Sequence, residues 1–215
     1  MAIKSKKYHD YVFKNGKLIG AFDDMYKNSD EIPWHQDETI KDIFSELDIL
    51  ILKHFRKHMK FQSIAEIGCG LGYVTARIKK EFSDCEVTGF DISFEAVRKA
   101  AIMFKDIKFY SKDILLDNMS DYYSHADIVI QKDVLWYVIH KADLFFETIS
   151  KISKKYIFIS QSFPEEKVFV GNDLLPNAMA LERYLKDKFK ILYFNLERDG
   201  RYAYREYVHI LAEKR

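Results

Sequence analysis

A strand, a glycine-rich turn and the start of a helix follow one another in residues 63–75, S-I-A-E-I-G-C-G-L-G-Y-V-T. Ile64, Ala65 and Ile67 predict a short buried strand, because a brief apolar run that ends in turn residues is typical of a core strand. From Tyr73 the apolar residues follow the period of a helix. The turn between strand and helix offers bare backbone and helix N–H groups to a ligand, which predicts a nucleotide-type site.

The glycine spacing indicates the kind of nucleotide. Gly68 and Gly70 fit the dinucleotide fingerprint, but the third glycine, Gly72, comes one place early and Tyr73 stands at the expected position. Glu66 precedes the glycines, where a carboxylate repels a pyrophosphate and attracts a cation. These features favour a cationic nucleoside, and the alternative is a turn that only lets the strand and helix pack closely.

An acid follows the second predicted strand, residues 86–90. Asp91 lies about 20 residues beyond the turn, where one carboxylate can accept hydrogen bonds from both hydroxyl groups of a ribose. Asp91 could instead cap the next helix, but Ser93 can serve that purpose. We therefore predict that Asp91 binds a ribose.

These residues resemble motif I of the class I S-adenosylmethionine-dependent methyltransferases, E/D-x-G-x-G-x-G, which matches Glu66, Gly68, Gly70 and Gly72 without a gap. The resemblance implies S-adenosylmethionine as the cofactor, with the acidic residue near its methionine end and the glycine backbone against its sugar and amino-acid portions.

The resemblance implies further site residues. An acid after the third strand, here Asp113, would receive the adenine amine, and its apolar neighbour Ile114 would pack on the ring. Cys69, Ile92 and Gln131 adjoin the turn and the ends of the second and fourth strands, and they complete the predicted cofactor site.

Two segments are similar to the nodulation-type N-methyltransferases and related enzymes of surface-glycan pathways. Asp133 begins a D-V-L-W-Y sequence after the fourth strand, and Tyr26 precedes the pair Pro33 and Trp34. The resemblance implies that residues 1–37 form an N-terminal lid over cofactor and acceptor, with Tyr26 and Trp34 in the cofactor site. The alternative is that this segment only covers apolar core.

Periodicity and turn signals predict one α/β domain over residues 38–215. Strands alternate with helices up to residue 161, and two final strands flank Asp199 and Gly200, which is a hairpin signal. We expect a three-layer sandwich with a seven-stranded, mostly parallel Rossmann-like sheet and a C-terminal antiparallel hairpin. Asp37 is the expected N-cap of a helix whose apolar stripe includes Leu50.

The predicted function is methyl transfer to oxygen or nitrogen of a small molecule, such as a sugar or another metabolite of a bacterial surface-glycan pathway. Asp133 and His35 are candidates for the base or for a group that orients the acceptor. A helix cap for Asp133 and a surface position for His35 are the alternatives. A non-catalytic S-adenosylmethionine-binding subunit is the second hypothesis, and the glycine spacing disfavours a nicotinamide oxidoreductase.

Composition restricts the partners. The 34 Lys and Arg residues balance 33 Asp and Glu residues, so we expect no nucleic-acid partner. Cys69 and Cys85 are too few for a disulfide framework or a zinc site, which favours reduced thiols in the cytoplasm. No stretch resembles a signal peptide or is long and apolar enough to span a membrane, so we expect no membrane insertion. We also expect no metal ion and a small-molecule acceptor. The sequence leaves the oligomeric state open.

Overall fold

The structure, a computed structural model, describes residues 5–15, 17–163, 173–198 and 206–215. Within these ranges, parallel strands alternate with helices and a final antiparallel hairpin completes a seven-stranded, mostly parallel sheet flanked by helices. The predicted Rossmann-like fold is confirmed. The chain divides into two compact units, Met1–Asp113 and Ile114–Arg215.

The first unit contains the N-terminal segment, the glycine turn and three parallel strands of the sheet. Its helices are α1 (His9–Val12), α2 (Phe22–Asn28), α3 (Gln36–Thr39), α4 (Ile43–Arg56), α5 (Tyr73–Glu81) and α6 (Phe94–Met103), with a 3-10 turn at Pro33–His35. Its strands are β1 (Phe13–Lys14), β2 (Lys17–Leu18), β3 (Ser63–Ile67), β4 (Glu86–Asp91) and β5 (Lys108–Ser111). The short β1 and β2 form a separate antiparallel pair.

Strand β4 lies between β3 and β5 in this unit and is parallel to both. Every residue of β3 is buried. A strand whose residues are apolar apart from Ser63 and Glu66 suits a position covered on both faces, as parallel strands are. Since the strands run in the same direction, their carboxyl ends, which carry the predicted acids, lie at one edge.

The second unit contains the rest of the sheet. Its helices are α7 (Leu135–Val138), α8 (Ala142–Ile152) and α9 (Ala178–Lys186), with 3-10 turns at Ser120–Tyr122 and Ile139–Lys141. Its strands are β6 (Ala126–Lys132), β7 (Ser153–Phe163), β8 (Phe189–Glu197) and β9 (Glu206–Lys214). Strand β7 is parallel to β6 and antiparallel to β9, and β9 pairs with β8.

Some local predictions need correction. Asp42, rather than Asp37, caps α4, since its carboxylate accepts from the Ser45 N–H group at 2.7 Å, and Asp37 lies within α3. Leu50 is 60% exposed and does not belong to the buried stripe of α4. The strands of the C-terminal hairpin are confirmed, and the predicted turn at Asp199 and Gly200 lies outside the described residues.

Candidate active site

The glycine turn from Gly68 to Gly72 connects β3 to α5. All three glycines have positive φ, at 73° for Gly68, 52° for Gly70 and 79° for Gly72. This left-handed region is unfavourable for residues with a Cβ, so the backbone path favours glycine. The N–H groups of Gly68 and Cys69 donate to the carbonyl oxygen of Phe90 at 2.7 and 3.0 Å, which fixes the turn to β4. The predicted strand, turn and helix are confirmed.

Two positions of the turn require glycine for different reasons. A Cβ on Gly72 would lie 2.7 Å from the Phe109 ring, so this glycine permits close packing inside the unit. That is the alternative role that the sequence left open. A Cβ on Gly70 would lie 2.7 Å from the Tyr26 hydroxyl and 2.7 Å from Gln36 Oε1. The bare face of Gly70 is therefore turned toward the N-terminal segment.

Asp91 is the last residue of β4, and backbone groups orient its carboxylate. The Gly70 N–H group donates to Oδ2 at 2.8 Å and the Ser93 N–H group donates to Oδ1 at 2.9 Å. Burial raises the pKa of Asp91 to about 6; the two N–H groups act against this rise, and Asp23 adds to it. Each carboxylate oxygen has a second lone pair, so Asp91 can also accept from two hydroxyl groups of a ligand.

The capping role belongs to Ser93, as the sequence indicated. Its hydroxyl accepts from the Ala96 N–H group at 3.1 Å at the start of α6. Asp91 therefore does not have to cap the helix with its side chain, which agrees with its predicted role toward a ribose.

Glu66 and Cys69 lie inside the first unit. Glu66 is buried, and the Thr75 hydroxyl in the first turn of α5 donates to Oε2. Cys69 is buried and free, and its burial, with the nearby carboxylates of Asp91 and Glu66, raises the pKa of its thiol well above the usual range. A protonated thiol is a weak nucleophile, so Cys69 contributes packing and backbone to the turn.

The end of β5 lies beside the end of β4. The Lys112 N–H group donates to the carbonyl oxygen of Asp91 at 2.8 Å, and the half-buried Asp113 follows in the chain. The two predicted acids thus follow adjacent strand ends. Ile92 is 48% exposed directly after Asp91, and the half-buried Ile114 begins the second unit.

Aromatic side chains pack against one another within the predicted lid. The Trp34 ring centroid lies 6.3 Å from that of Tyr26, 5.7 Å from Tyr8 and 6.5 Å from Phe22. Tyr26 is buried and Trp34 is half-buried. The neighbouring His35 is exposed, with its ring perpendicular to Tyr8 at a centroid distance of 6.2 Å.

Polar contacts attach α2 of the lid to α6. Asp23 Oδ1 accepts from the Ser93 hydroxyl at 2.6 Å and from the Glu95 N–H group at 3.0 Å. The Lys99 ammonium donates to the carbonyl oxygen of Tyr26. These bonds bring the lid to the N-cap and the first two turns of α6, and this N-cap lies two residues after the ribose-binding candidate Asp91.

Gln36 is a contact of the turn that the sequence did not indicate. Its Oε1 accepts from the Leu71 N–H group at 2.8 Å, and its Nε2 donates to the Tyr26 hydroxyl at 3.1 Å. Gln36 belongs to no motif, and the segment around it has no regular period. Its position beside the turn follows from the fold of the lid.

Asp133 directly follows β6 in the second unit and has a left-handed backbone, with φ of 54°. Its Oδ1 accepts from the Ser162 N–H group at 2.7 Å and from the Ser162 hydroxyl at 2.6 Å. The first N–H groups around α7 donate instead to Gln131 Oε1 and Gln161 Oε1, at 3.1 and 3.2 Å. The Asp133 side chain therefore does not cap α7, which was the alternative that the sequence left open, and its catalytic role stays a prediction.

Side chains from three strands form a polar network around Asp133. The Tyr207 hydroxyl donates to Asp133 Oδ2 at 3.2 Å and lies 2.9 Å from the Ser160 hydroxyl. The Lys132 ammonium donates to the Tyr207 oxygen at 2.8 Å. The sequence did not indicate Lys132, Ser160 and Tyr207. A signal exists for Ser160, which belongs to the polar sequence S-Q-S near the end of the apolar strand β7.

Gln131 carries a hydrogen-bond donor that suits a ligand. The side chain is 1% exposed, and its Nε2 has no hydrogen-bond partner among the described residues. A buried donor without an acceptor is unfavourable, so an acceptor atom of a ligand would stabilise it. Gln131 lies near the carboxyl end of β6, and its place in the cofactor site stays a prediction.

The described ranges contain no group of three or more His, Cys, Asp and Glu side chains that could hold a metal ion. Among the helices of those ranges, none has the length and apolar character needed to cross a membrane.

Comparison with known proteins identifies the family. A family described as a methyltransferase domain matches residues 59–207, which is more than half of the chain. The chain belongs to this methyltransferase family. The family uses S-adenosylmethionine, so the predicted family, enzyme class and cofactor are confirmed at the level of the family. A search of curated proteins finds no match.

Solved structures share the fold of the methyltransferase at low sequence identity. Magnesium protoporphyrin IX methyltransferase (ChlM) from Synechocystis PCC 6803 with bound SAH is 15% identical, with a TM-score of 0.61 over 88% of this chain and 91% of that one. N-methyltransferase NodS from Bradyrhizobium japonicum WM9 in complex with SAH is 15% identical, with a TM-score of 0.63 over 85% and 91%. The plantazolicin methyltransferase BpumL in complex with a pentazolic desmethylPZN analog and SAH is 13% identical, with a TM-score of 0.59 over 83% and 88%.

Proposed function

We propose that this methyltransferase transfers a methyl group from S-adenosylmethionine to an oxygen or nitrogen atom of a small molecule. A sugar or another metabolite of a bacterial surface-glycan pathway is the proposed acceptor. The fold shared with N-methyltransferase NodS supports a nitrogen acceptor by analogy, whereas the surface-glycan acceptor is proposed from the sequence resemblance. The two buried cysteines, which form no disulfide within the described residues, support a cytoplasmic location, where thiols stay reduced.

The carboxylate of Asp91 is the main support for the cofactor site. Two backbone N–H groups, of Gly70 and Ser93, hold it at the end of β4 with lone pairs left for the two ribose hydroxyl groups. Glu66 and Asp113 add negative charge to the same unit, which suits a sulfonium cation. The Nε2 donor of Gln131 suits an acceptor atom of the nucleoside or of the methyl acceptor. The residues present therefore fit S-adenosylmethionine.

When bound, S-adenosylmethionine supplies an electrophilic methyl group with a good leaving group. The protein then mainly has to align the acceptor and exclude water. A hydroxyl or ammonium acceptor must also lose a proton before or during its attack. Asp133 is the proposed proton acceptor, because Ser162 and Tyr207 fix its carboxylate at the end of β6. His35, exposed in the lid, is the second candidate.

The lid is proposed to cover the reacting groups through Tyr26 and Trp34. Trp34→Ala should then reduce the initial rate per folded molecule much more than it weakens cofactor binding, because an open lid admits water and releases the acceptor. Initial rates and melting temperature measured on the same preparation test this role. A lower melting temperature with an unchanged rate would restrict the segment to covering apolar core.

Two measurements on the purified protein test the proposal as a whole. Calorimetry should detect binding of S-adenosylmethionine and S-adenosylhomocysteine and no binding of NADH. A screen of small hydroxyl and amine compounds should then reveal an acceptor by formation of S-adenosylhomocysteine. Tight NADH binding without binding of either methionine nucleoside would contradict the proposal. Cofactor binding with no turnover of any acceptor would favour the non-catalytic subunit.

A further inference from the structure

The amide group of Gln36 lies directly against the glycine turn. Its Oε1 accepts the Leu71 N–H bond at 2.8 Å, and its Nε2 donates to the Tyr26 hydroxyl at 3.1 Å. A Cβ on Gly70 would lie 2.7 Å from Oε1 and closer still to Nε2. The amide therefore fills the space that the missing side chain of Gly70 leaves open.

The same face and the same N–H group are what a ligand of the turn would use. A glycine turn admits a ligand because its bare backbone allows close approach. Gln36 already makes this approach at Gly70, and it already accepts the hydrogen bond of Leu71. Two groups cannot fill one close-packed volume, so the amide and a ligand that lies against Gly70 exclude each other.

The backbone that carries Gln36 is strained. Trp34 and His35 both adopt left-handed backbone angles, with φ of 54° and 48°, directly before Gln36. This region is unfavourable for residues with a Cβ, and such strain persists only where the surroundings enforce it. A movement that takes Gln36 off the turn can relax these two residues, and the relaxation offsets part of the lost hydrogen bonding.

We propose that Gln36 is a placeholder for the cofactor on the glycine turn. In the ligand-free protein its amide occupies the bare face of Gly70 and the Leu71 N–H group, and it leaves both when S-adenosylmethionine binds. This inference rests on the proposed cofactor site. At any moment the amide then blocks the turn in a fraction of the molecules. The apparent dissociation constant of the cofactor is therefore the intrinsic one divided by the fraction of molecules whose turn is open.

Removal of the placeholder should strengthen cofactor binding. Gln36→Ala deletes the amide and leaves the turn, Asp91 and Glu66 in place. Calorimetry with S-adenosylhomocysteine should give a dissociation constant about three- to tenfold lower than that of the unmodified protein, the range for one neutral hydrogen bond. Gln36→Glu should do the opposite, since a carboxylate accepts the Leu71 N–H bond more strongly than an amide does.

Asn28→Ala is the matched control. Asn28 is also an amide residue of the lid, and its Nδ2 donates at 2.8 Å to the carbonyl oxygen of Asp24 within α2. This variant should leave the dissociation constant unchanged. Melting temperatures of all three variants identify any loss of folded protein.

Hydrogen exchange at the Leu71 amide provides a test without cofactor. This N–H group should exchange faster in Gln36→Ala than in the unmodified protein, because Gln36 protects it. An unchanged exchange rate, or weaker binding of S-adenosylhomocysteine by Gln36→Ala, would overturn the placeholder and leave the proposed function intact. No binding of S-adenosylhomocysteine by the unmodified protein or by Gln36→Ala would instead overturn the proposed function.

Discussion

Two carboxylates, one in each unit, lie at strand ends, and they are held in different ways. Asp91 in the first unit receives hydrogen bonds from the backbone N–H groups of Gly70 and Ser93. Asp133 in the second unit receives one backbone hydrogen bond, from the Ser162 N–H group, and further bonds from the side chains of Ser162 and Tyr207. Backbone donors follow from the path of the main chain and tolerate many substitutions. Side-chain donors depend on particular residues that are distant in sequence.

The difference fits the two proposed tasks. A cofactor that is common to a whole family suits a carboxylate whose position depends only on a glycine turn and a helix start. An acceptor that varies suits a carboxylate whose surroundings can change residue by residue.

The largest effect is expected for Asp133→Asn. Loss of a proton acceptor should lower kcat by about 10²- to 10⁴-fold, while the dissociation constant of S-adenosylhomocysteine stays the same. Steady-state kinetics and calorimetry measure the two quantities. Asp127→Asn is the control, because Asp127 is also on β6 but pairs with Lys154 near the other end of the strand. A normal kcat for Asp133→Asn would remove this residue from catalysis.

Asp91→Asn should act on binding rather than on turnover. Replacement of the carboxylate removes charge-assisted bonds to the ribose and should weaken S-adenosylhomocysteine binding by about 1.5–3 kcal/mol. At saturating cofactor, kcat should stay close to normal. Asp84→Asn, which changes an exposed partner of Arg56, should leave the affinity unchanged. An unaltered affinity in well-folded Asp91→Asn would contradict the ribose assignment.

The pH dependence of S-adenosylhomocysteine binding should reflect the protonation of the Asp91 carboxylate. The pKa of Asp91 is raised to about 6 in the folded protein, so protonation begins to remove its acceptor capacity as pH falls through 6. S-adenosylhomocysteine should bind about tenfold more weakly at pH 5 than at pH 7.5, and Asp91→Asn should abolish most of this difference. Calorimetry at several pH values measures both.

The stability of the ligand-free protein should respond to pH with the opposite sign. A carboxyl group with a raised pKa binds more protons in the folded state than in the unfolded state between about pH 4 and pH 6. Its contribution to the free energy of unfolding therefore decreases as pH rises through this window. A contribution that increases with pH, obtained by comparing denaturant curves with those of Asp91→Asn, would contradict the raised pKa.

Tyr207→Phe should have the smallest effect. It removes one donor to Asp133 and the oxygen that accepts from Lys132, so kcat should fall about three- to tenfold without a change in cofactor affinity. Tyr156→Phe, on β7, is the control. If Tyr207 acts through Asp133, the substitution should cost little further activity in an Asp133→Asn background. Independent, multiplicative losses would contradict a positioning role.

The elements of the sheet were largely predictable. Strand β3 and helices α5 and α8 follow from apolar periodicity, and Ser93 was correctly assigned as the cap of α6. The predicted start of α4 was wrong by several residues. Asp37 and Asp42 both match a capping signal, and the choice between them depends on tertiary packing. Periodicity also failed at Leu50, whose exposure depends on which neighbours the helix meets.

The amino-acid sequence is enough to predict the glycine turn, the acid Asp91 at the end of β4 and the methyltransferase family, because these depend on local backbone geometry over short spacings. Tertiary packing is needed to bring Tyr207 to Lys132 and Asp133, and Gln36 to the turn. These contacts join residues 75, 74 and 35 positions apart. No periodic signal encodes such pairs, since their encounter depends on how the strands pair and how the lid packs.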